Sequence, residues 1–283
     1  MSSNRQTQWQ TVAGWTALVL LMSFSAFVSL ERAAAGKGTE TPQESGPAAG
    51  SQSPAVLVEL FTSEGCSSCP PADKLLADLD QSQPINGAQV IILSEHVDYW
   101  NRLGWKDPFS SAQFSQRQSD YARALGIEDV YTPQMVVDGR SEFVGSKRES
   151  ALDAIAKAAR SPKAAVVMAV KTSGSNSATL TIRVDNVPEL RRGEKADVLL
   201  AIAESGLRSK VTRGENSGRD LGHSAVTRKL IKIGTIDGVN YSSEPVLNLD
   251  TGWNRKSLKA VAFVQERTTR RVIGAAAVKL GEM

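Results

Sequence analysis

The sequence predicts an α/β domain followed by an all-β, sandwich-like domain, α+β overall. Three observations carry that expectation. Between residues 54 and 161, apolar runs of strand length alternate with amphipathic stretches of helical period. A Cys-x-x-Cys motif holds both cysteines of the 283 residues and sits between the first strand-like run and the first helix-like one. From Ala164 onward strand-like runs recur without helical periodicity. Composition adds limits: 41% apolar and 22% charged residues are globular values, and a net charge of +3 gives no argument for nucleic acid. No glycine-rich phosphate loop or serine-hydrolase elbow occurs, so no cofactor is expected.

At the start of the chain, Arg5 precedes an uncharged apolar stretch, Val12 to Leu30. Ala33 and Ala35 then fit the small-residue pattern of a signal-peptidase site. The stretch is also long enough to span a bilayer. Residues 1–35 are read as a signal peptide or, if uncleaved, an N-terminal membrane anchor. Residues 36–53, rich in Gly, Ser, Pro and Ala, are read as a flexible linker. Either alternative delivers the remainder out of a bacterial cytoplasm, to the periplasm or the medium.

The α/β domain is expected over residues 54–161. Ala55 to Phe61 is nearly continuously apolar and reads as a central buried strand. Glu59 interrupts it. A carboxylate there is either at a solvated strand end or a buried acid with a raised pKa that moves protons to the dithiol. Gly65-Cys66-Ser67-Ser68-Cys69-Pro70-Pro71 follows, then a helical face of Ala72, Leu75, Leu76 and Leu79. A cysteine at a helix N-terminus faces unpaired N–H groups and the positive end of the dipole, which favour thiolate. Cys66 is read as the attacking sulfur and Cys69 as the resolving one. The same pair also suits an inert structural disulfide or, with further ligands, half of a zinc site.

Gln89 to Ser94 reads as a second buried strand, leading into a loop that carries His96, Tyr99, Trp100 and Trp105. That loop follows a strand's carboxyl end, where α/β sheets place their sites. His96 and Trp100 are candidate substrate-binding residues there; the alternative is that the aromatics cap the core and His96 is structural. Phe114 to Leu125 is a helix ended by Gly126. Tyr131-Thr132-Pro133-Gln134 enters a third strand, Asp138-Gly139 turns it back, and Ser146 with Glu149 forms a capping box for a last helix.

That element order, with Cys-x-x-Cys after the first strand and Thr-Pro before the third, resembles the thioredoxin fold. The resemblance implies that the Thr132–Pro133 bond is cis and that this loop binds a substrate's backbone. It also places Glu59 near the family's buried acid, one residue out of step. Gly65 replaces the usual tryptophan, and Cys-Ser-Ser-Cys replaces the usual Cys-Gly-Pro-Cys. More closely, four segments resemble a family of exported thioredoxin-like proteins catalogued as domain of unknown function 1223. They are residues 61–73, His96-Val97-Asp98-Tyr99-Trp100, Tyr131-Thr132-Pro133-Gln134 and Gly214-Glu215-Asn216.

Residues 162–283 form the expected sandwich, with six strand-like runs beginning at Ala165, Ala178, Asp197, Thr227, Leu258 and Arg271. Arg208 to Arg219 is a long basic loop, read as solvated surface or as a segment that reaches the first domain and shapes access to Cys66. The function expected is an exported thiol–disulfide oxidoreductase acting on protein or small-molecule thiols. Cys66, Cys69 and Glu59 would do the chemistry, and Thr132, Pro133, His96 and Trp100 would bind the substrate. The alternatives are a binding or adaptor protein with a structural disulfide and, more remotely, a metal carrier using Cys66, Cys69 and His96.

Overall fold

Two apolar runs form the centre of the protein. In the computed structural model, Ala55–Thr62 (β1) and Gln89–His96 (β2) pair in parallel, and both are buried except at Gln89. The structure describes residues 53–281 apart from Ser175 and Asp237. The leader or anchor expected over residues 1–35, and nearly all of the linker over 36–53, lie outside the described residues. Among those described, no helix is long and apolar enough to cross a membrane.

Helix α1 (Pro70–Ser82) turns Leu75, Leu76 and Leu79 inward, as its apolar period demands. Helix α2 (Ala112–Leu125) is capped by the Ser111 side chain and closed by Gly126 at φ 71°. The strands β3 (Gln134–Val137) and β4 (Ser141–Val144) pair antiparallel. Asp138 and Gly139 have φ of 49° and 62°, and Arg140 N donates to Val137 O, which is the primed turn that suits a twisted hairpin. Helix α3 (Arg148–Ala159) begins without a side-chain cap, so the Ser146–Glu149 capping box does not form.

Ten strands follow. They are β5 (Ala165–Ser173), β6 (Ser177–Asp185), β7 (Ala196–Glu204), β8 (Leu207–Lys210), β9 (Asp220–His223), β10 (Val226–Ile236), β11 (Tyr241–Ser243), β12 (Val246–Asn248), β13 (Leu258–Glu266) and β14 (Val272–Lys279). The six runs read from sequence correspond to β5, β6, β7, β10, β13 and β14; the other four strands have only three or four residues each.

The expected fold class is corrected here. A thioredoxin-like α/β domain followed by a separate all-β sandwich would keep the sheet of the first domain apart from those of the second. The structure instead has one eight-stranded mixed sheet in the order β14-β13-β7-β10-β2-β1-β3-β4. Strand β10 docks parallel to β2 at Val226 and Ser94, and Ser94 N donates to Ala225 O at 2.8 Å. The physical reason is the edge of β2. Its backbone N–H and C=O groups lie among buried side chains and need partners, and the start of β10 supplies one at Ser94. A second sheet of β5, β6, β11 and β12 packs on the far half through Leu180, Ile182, Leu200, Ala262 and their neighbours. A separate pair, β8 and β9, stands next to the dithiol helix.

Candidate functional site

The segment between β1 and α1 carries the motif, and its backbone winds tightly. Cys66 N donates to Ser63 O, and Cys69 N donates to Cys66 O, both at 3.2 Å. Cys66 and Cys69 form a disulfide with Cα atoms 5.4 Å apart. Cys69 is the N-cap of α1, and its carbonyl accepts from the N–H groups of Ala72 and Asp73 at 2.8 and 3.1 Å. Pro70 and Pro71 fill first-turn positions where no N–H is missed. Both cysteines are 0% exposed, whereas Ser67 and Ser68 face solvent.

Three distant segments close around this turn. Trp100 packs where Gly65 has no side chain: a β-carbon at Gly65 would lie 3.2 Å from Trp100 Cβ. Trp100 Nε1 donates to Thr132 Oγ1 at 2.7 Å, tying the motif to the Thr132–Pro133 bond, which is cis. Pro133, Ala72 of α1 and Leu60 converge on Gly145, where an added β-carbon would meet them at 3.3, 3.1 and 2.6 Å. The third segment is the basic loop, which does reach the dithiol. Ser67 N donates to Glu215 Oε2 at 2.9 Å, and Asn216 Nδ2 donates to the carbonyls of Glu64 and Cys66 at 2.8 and 2.9 Å. Hydrogen bonds from Ser67 lower the pKa of the Glu215 carboxyl. Asn216 is 0% exposed, although its loop is otherwise largely solvated.

Beneath the turn lies a buried polar centre. Glu64 accepts from Trp105 Nε1 at 2.8 Å and meets His223 Nε2 at 3.0 Å. Glu64 N donates to Asp107 Oδ2, which also meets His96 Nδ1 at 2.7 Å. The two imidazole rings stand edge to face, 4.9 Å between centroids. Burial works against the His96 imidazolium, but the charge and hydrogen bond of Asp107 outweigh it and raise the His96 pKa. Burial pushes Asp107 up, yet His96 outweighs it and leaves its pKa lowered. His96 Nε2, His223 Nδ1, Thr62 Oγ1 and Asp73 Oδ1 are buried without a hydrogen-bond partner. Among the described residues, no group of three His, Cys, Asp or Glu is arranged to hold a metal ion.

Of the residues singled out from sequence, Cys66, Cys69, Trp100, Thr132 and Pro133 come together. His96 lies in the buried centre rather than in an open groove. Glu59 points elsewhere. On β1 it alternates with Leu60, which meets α1, and it shares a face with Phe61 toward α2. Arg117 lies 2.6 Å from its carboxylate, and Tyr121 donates to its other oxygen. Glu95 stands 3.4 Å from the same guanidinium; burial, together with the charge of Glu59, drives its pKa well up. Sequence reasoning missed Glu64, Asp73, Asp107 and His223. Glu64 and Asp73 flank the motif, and that position was their only local signal. His223 meets Glu64 across 159 residues, which local spacing cannot show.

The family described as "Protein of unknown function (DUF1223)" matches residues 57–265. No curated protein matches the chain. Among solved structures, protein AGR_C_4864 from Agrobacterium tumefaciens is 29% identical, with a TM-score of 0.62, over 80% of this chain and 94% of that one. HBP35 of Porphyromonas gingivalis is 15% identical, with a TM-score of 0.61, over 82% of this chain and 77% of that one, and shows a shared fold alone.

Proposed function

This chain belongs to the DUF1223 family, and we propose that it is an exported thiol–disulfide exchange protein acting on protein or small-molecule thiols. The disulfide fits an oxidising compartment, since such bonds persist outside the reducing cytoplasm. The observation that carries the reading is the convergence of Trp100 and the Thr132–Pro133 loop on the Cys66–Cys69 turn. A structural staple needs no such surround. In the reducing direction, a partner thiolate attacks Cys66 Sγ, the Cys66–Cys69 bond breaks, and Cys69 leaves as thiolate. A second thiol on the partner then releases Cys66, so two partner thiols become one disulfide while this chain gains two thiols. The first-turn N–H groups and the dipole of α1 favour the thiolate form. The test is exchange with glutathione disulfide and a reduced peptide. Wild type is expected to exchange, Cys66→Ser to be silent, and Cys69→Ser to accumulate a mixed disulfide on Cys66. Equal inertness of wild type and Cys66→Ser overturns the reading.

One observation favours a second reading, a binding protein stapled by its disulfide: both cysteines are fully buried. The reduction potential separates the two. Exchangers span about −120 to −270 mV, whereas structural disulfides lie below about −300 mV.

A further inference from the structure

Opening a disulfide leaves a second sulfur that needs a proton, and Glu59 is engaged on the face of β1 turned toward α2. Asp73 is placed for that task. It follows Cys69 by four residues in α1, one helical turn along the same face, and its N–H donates to the Cys69 carbonyl at 3.1 Å. Its Oδ1 is buried without a partner. The same residue lines an open pocket of about 330 Å³ with Pro70, Lys74, Arg219 and Asp220. Asp73 therefore borders both the buried centre under the dithiol and the pocket.

The surroundings are arranged for proton traffic. From β2 and β9, two buried side chains bring nitrogens without a hydrogen-bond partner, His96 Nε2 and His223 Nδ1, and from β1 the Thr62 hydroxyl approaches the Asp73 carboxyl. His96 and His223 are 0% and 4% exposed, and their other nitrogens are fixed by Asp107 and Glu64. Burial raises the Asp73 pKa; the charges of His223 and His96 and the nearby Thr62 hydroxyl offset part of that rise, and Asp107 adds to it. The cations Lys74 and Arg219 and the carboxylate Asp220 line the same pocket.

We infer that Asp73 is the proton donor and acceptor for Cys69, exchanging its own proton with solvent through this pocket. The inference rests on the exchange reading above. In the reducing direction, the Cys69 thiolate released by attack on Cys66 takes the proton of the Asp73 carboxyl, giving a thiol and a carboxylate. In the oxidising direction, the Asp73 carboxylate removes the Cys69 proton. The resulting thiolate attacks Cys66 Sγ of the mixed disulfide and expels the partner's thiolate.

The test titrates Cys69 alone. In the full chain carrying Cys66→Ser, thiolate absorbance is followed against pH with and without Asp73→Asn. A carboxylate beside a thiolate opposes its formation, so Asp73→Asn is expected to shift the Cys69 midpoint down by about one pH unit, a tenfold gain in thiolate below the midpoint. Superimposable curves overturn the proposal. A second measurement on the unaltered chain guards against misfolding of the variant. The Asp73 carboxyl carbon is followed by NMR in both redox states. A second inflection at the Cys69 midpoint is expected in the reduced state only, and identical curves in both states overturn the proposal. Absence of exchange by wild type removes the underlying reading, whereas active exchange with superimposable titrations removes the role of Asp73 alone.

Discussion

Asn216→Ala tests whether the 211–219 loop gates the dithiol. The side chain donates to the carbonyls of Glu64 and Cys66 at 2.8 and 2.9 Å, and it is fully buried. Removing it leaves the buried Glu64 carbonyl unpaired at a cost of about 1–3 kcal/mol, while the Cys66 carbonyl keeps its bond from Cys69 N. With the loop open, water satisfies the Glu64 carbonyl, so the cost falls on the closed state alone. Even the lower bound, about 1 kcal/mol, shifts the opening equilibrium roughly fivefold, since about 1.4 kcal/mol is a factor of ten. The assay is the rate at which dithiothreitol reduces Cys66–Cys69, read by thiol trapping across low urea concentrations. Reduction is expected to accelerate about fivefold or more, with a shallow urea dependence, because local opening exposes little surface. Asn216→Asp replaces a donor by a carboxylate facing two carbonyls and is expected to act in the same direction. An unchanged rate in a folded Asn216→Ala protein would show that the loop does not control access, and the gating argument would fail.

Other outcomes follow from the same geometry. Arg117→Met leaves Glu59 and Glu95 buried without their cation and is expected to cost about 3–5 kcal/mol in urea unfolding, partly recovered in acid; a loss below 1 kcal/mol would contradict the pairing. Gly139→Ala sets a β-carbon 1.9 Å from the Arg270 carbonyl oxygen at φ 62°, so left-handed strain of about 1–2 kcal/mol adds to overpacking of about 1–3 kcal/mol. An unaltered thermal midpoint would refute that contact. The His96–Asp107 pair makes stability depend on pH. His96 has a raised pKa, so its contribution is full below its ordinary value of about 6.5 and is lost as pH climbs through the raised one. Asp107 has a lowered pKa, so its contribution is full above about 3.9 and is lost as pH falls through the lowered one. Urea stability is expected to decline as pH rises above about 6.5 in wild type and less so in Asp107→Asn; parallel profiles would refute the pairing.

What was legible in the sequence is what local patterns encode. The apolar runs of β1 and β2, the inward leucines of α1 and the positive-φ turn at Asp138-Gly139 each report on a few consecutive residues. The dithiol at a helix start was legible for the same reason. The eight-stranded sheet was not, because its joint is a single paired position, Val226 with Ser94, that no periodicity announces. Glu59 shows the limit most clearly. Alternation along β1 correctly separates it from Leu60, but which helix covers which face is decided by tertiary packing. The histidines make the complementary case. Neither has a ligand-spaced companion nearby in sequence, and a lone histidine reads as inert. Their partners, Asp107 and Glu64, come from the loop after β2 and from the motif itself, and β9 brings His223 in beside them. The same placement sets Asp73 between this buried centre and a pocket. The proposed proton path therefore runs through Asp73, and not through the carboxylate that interrupts β1.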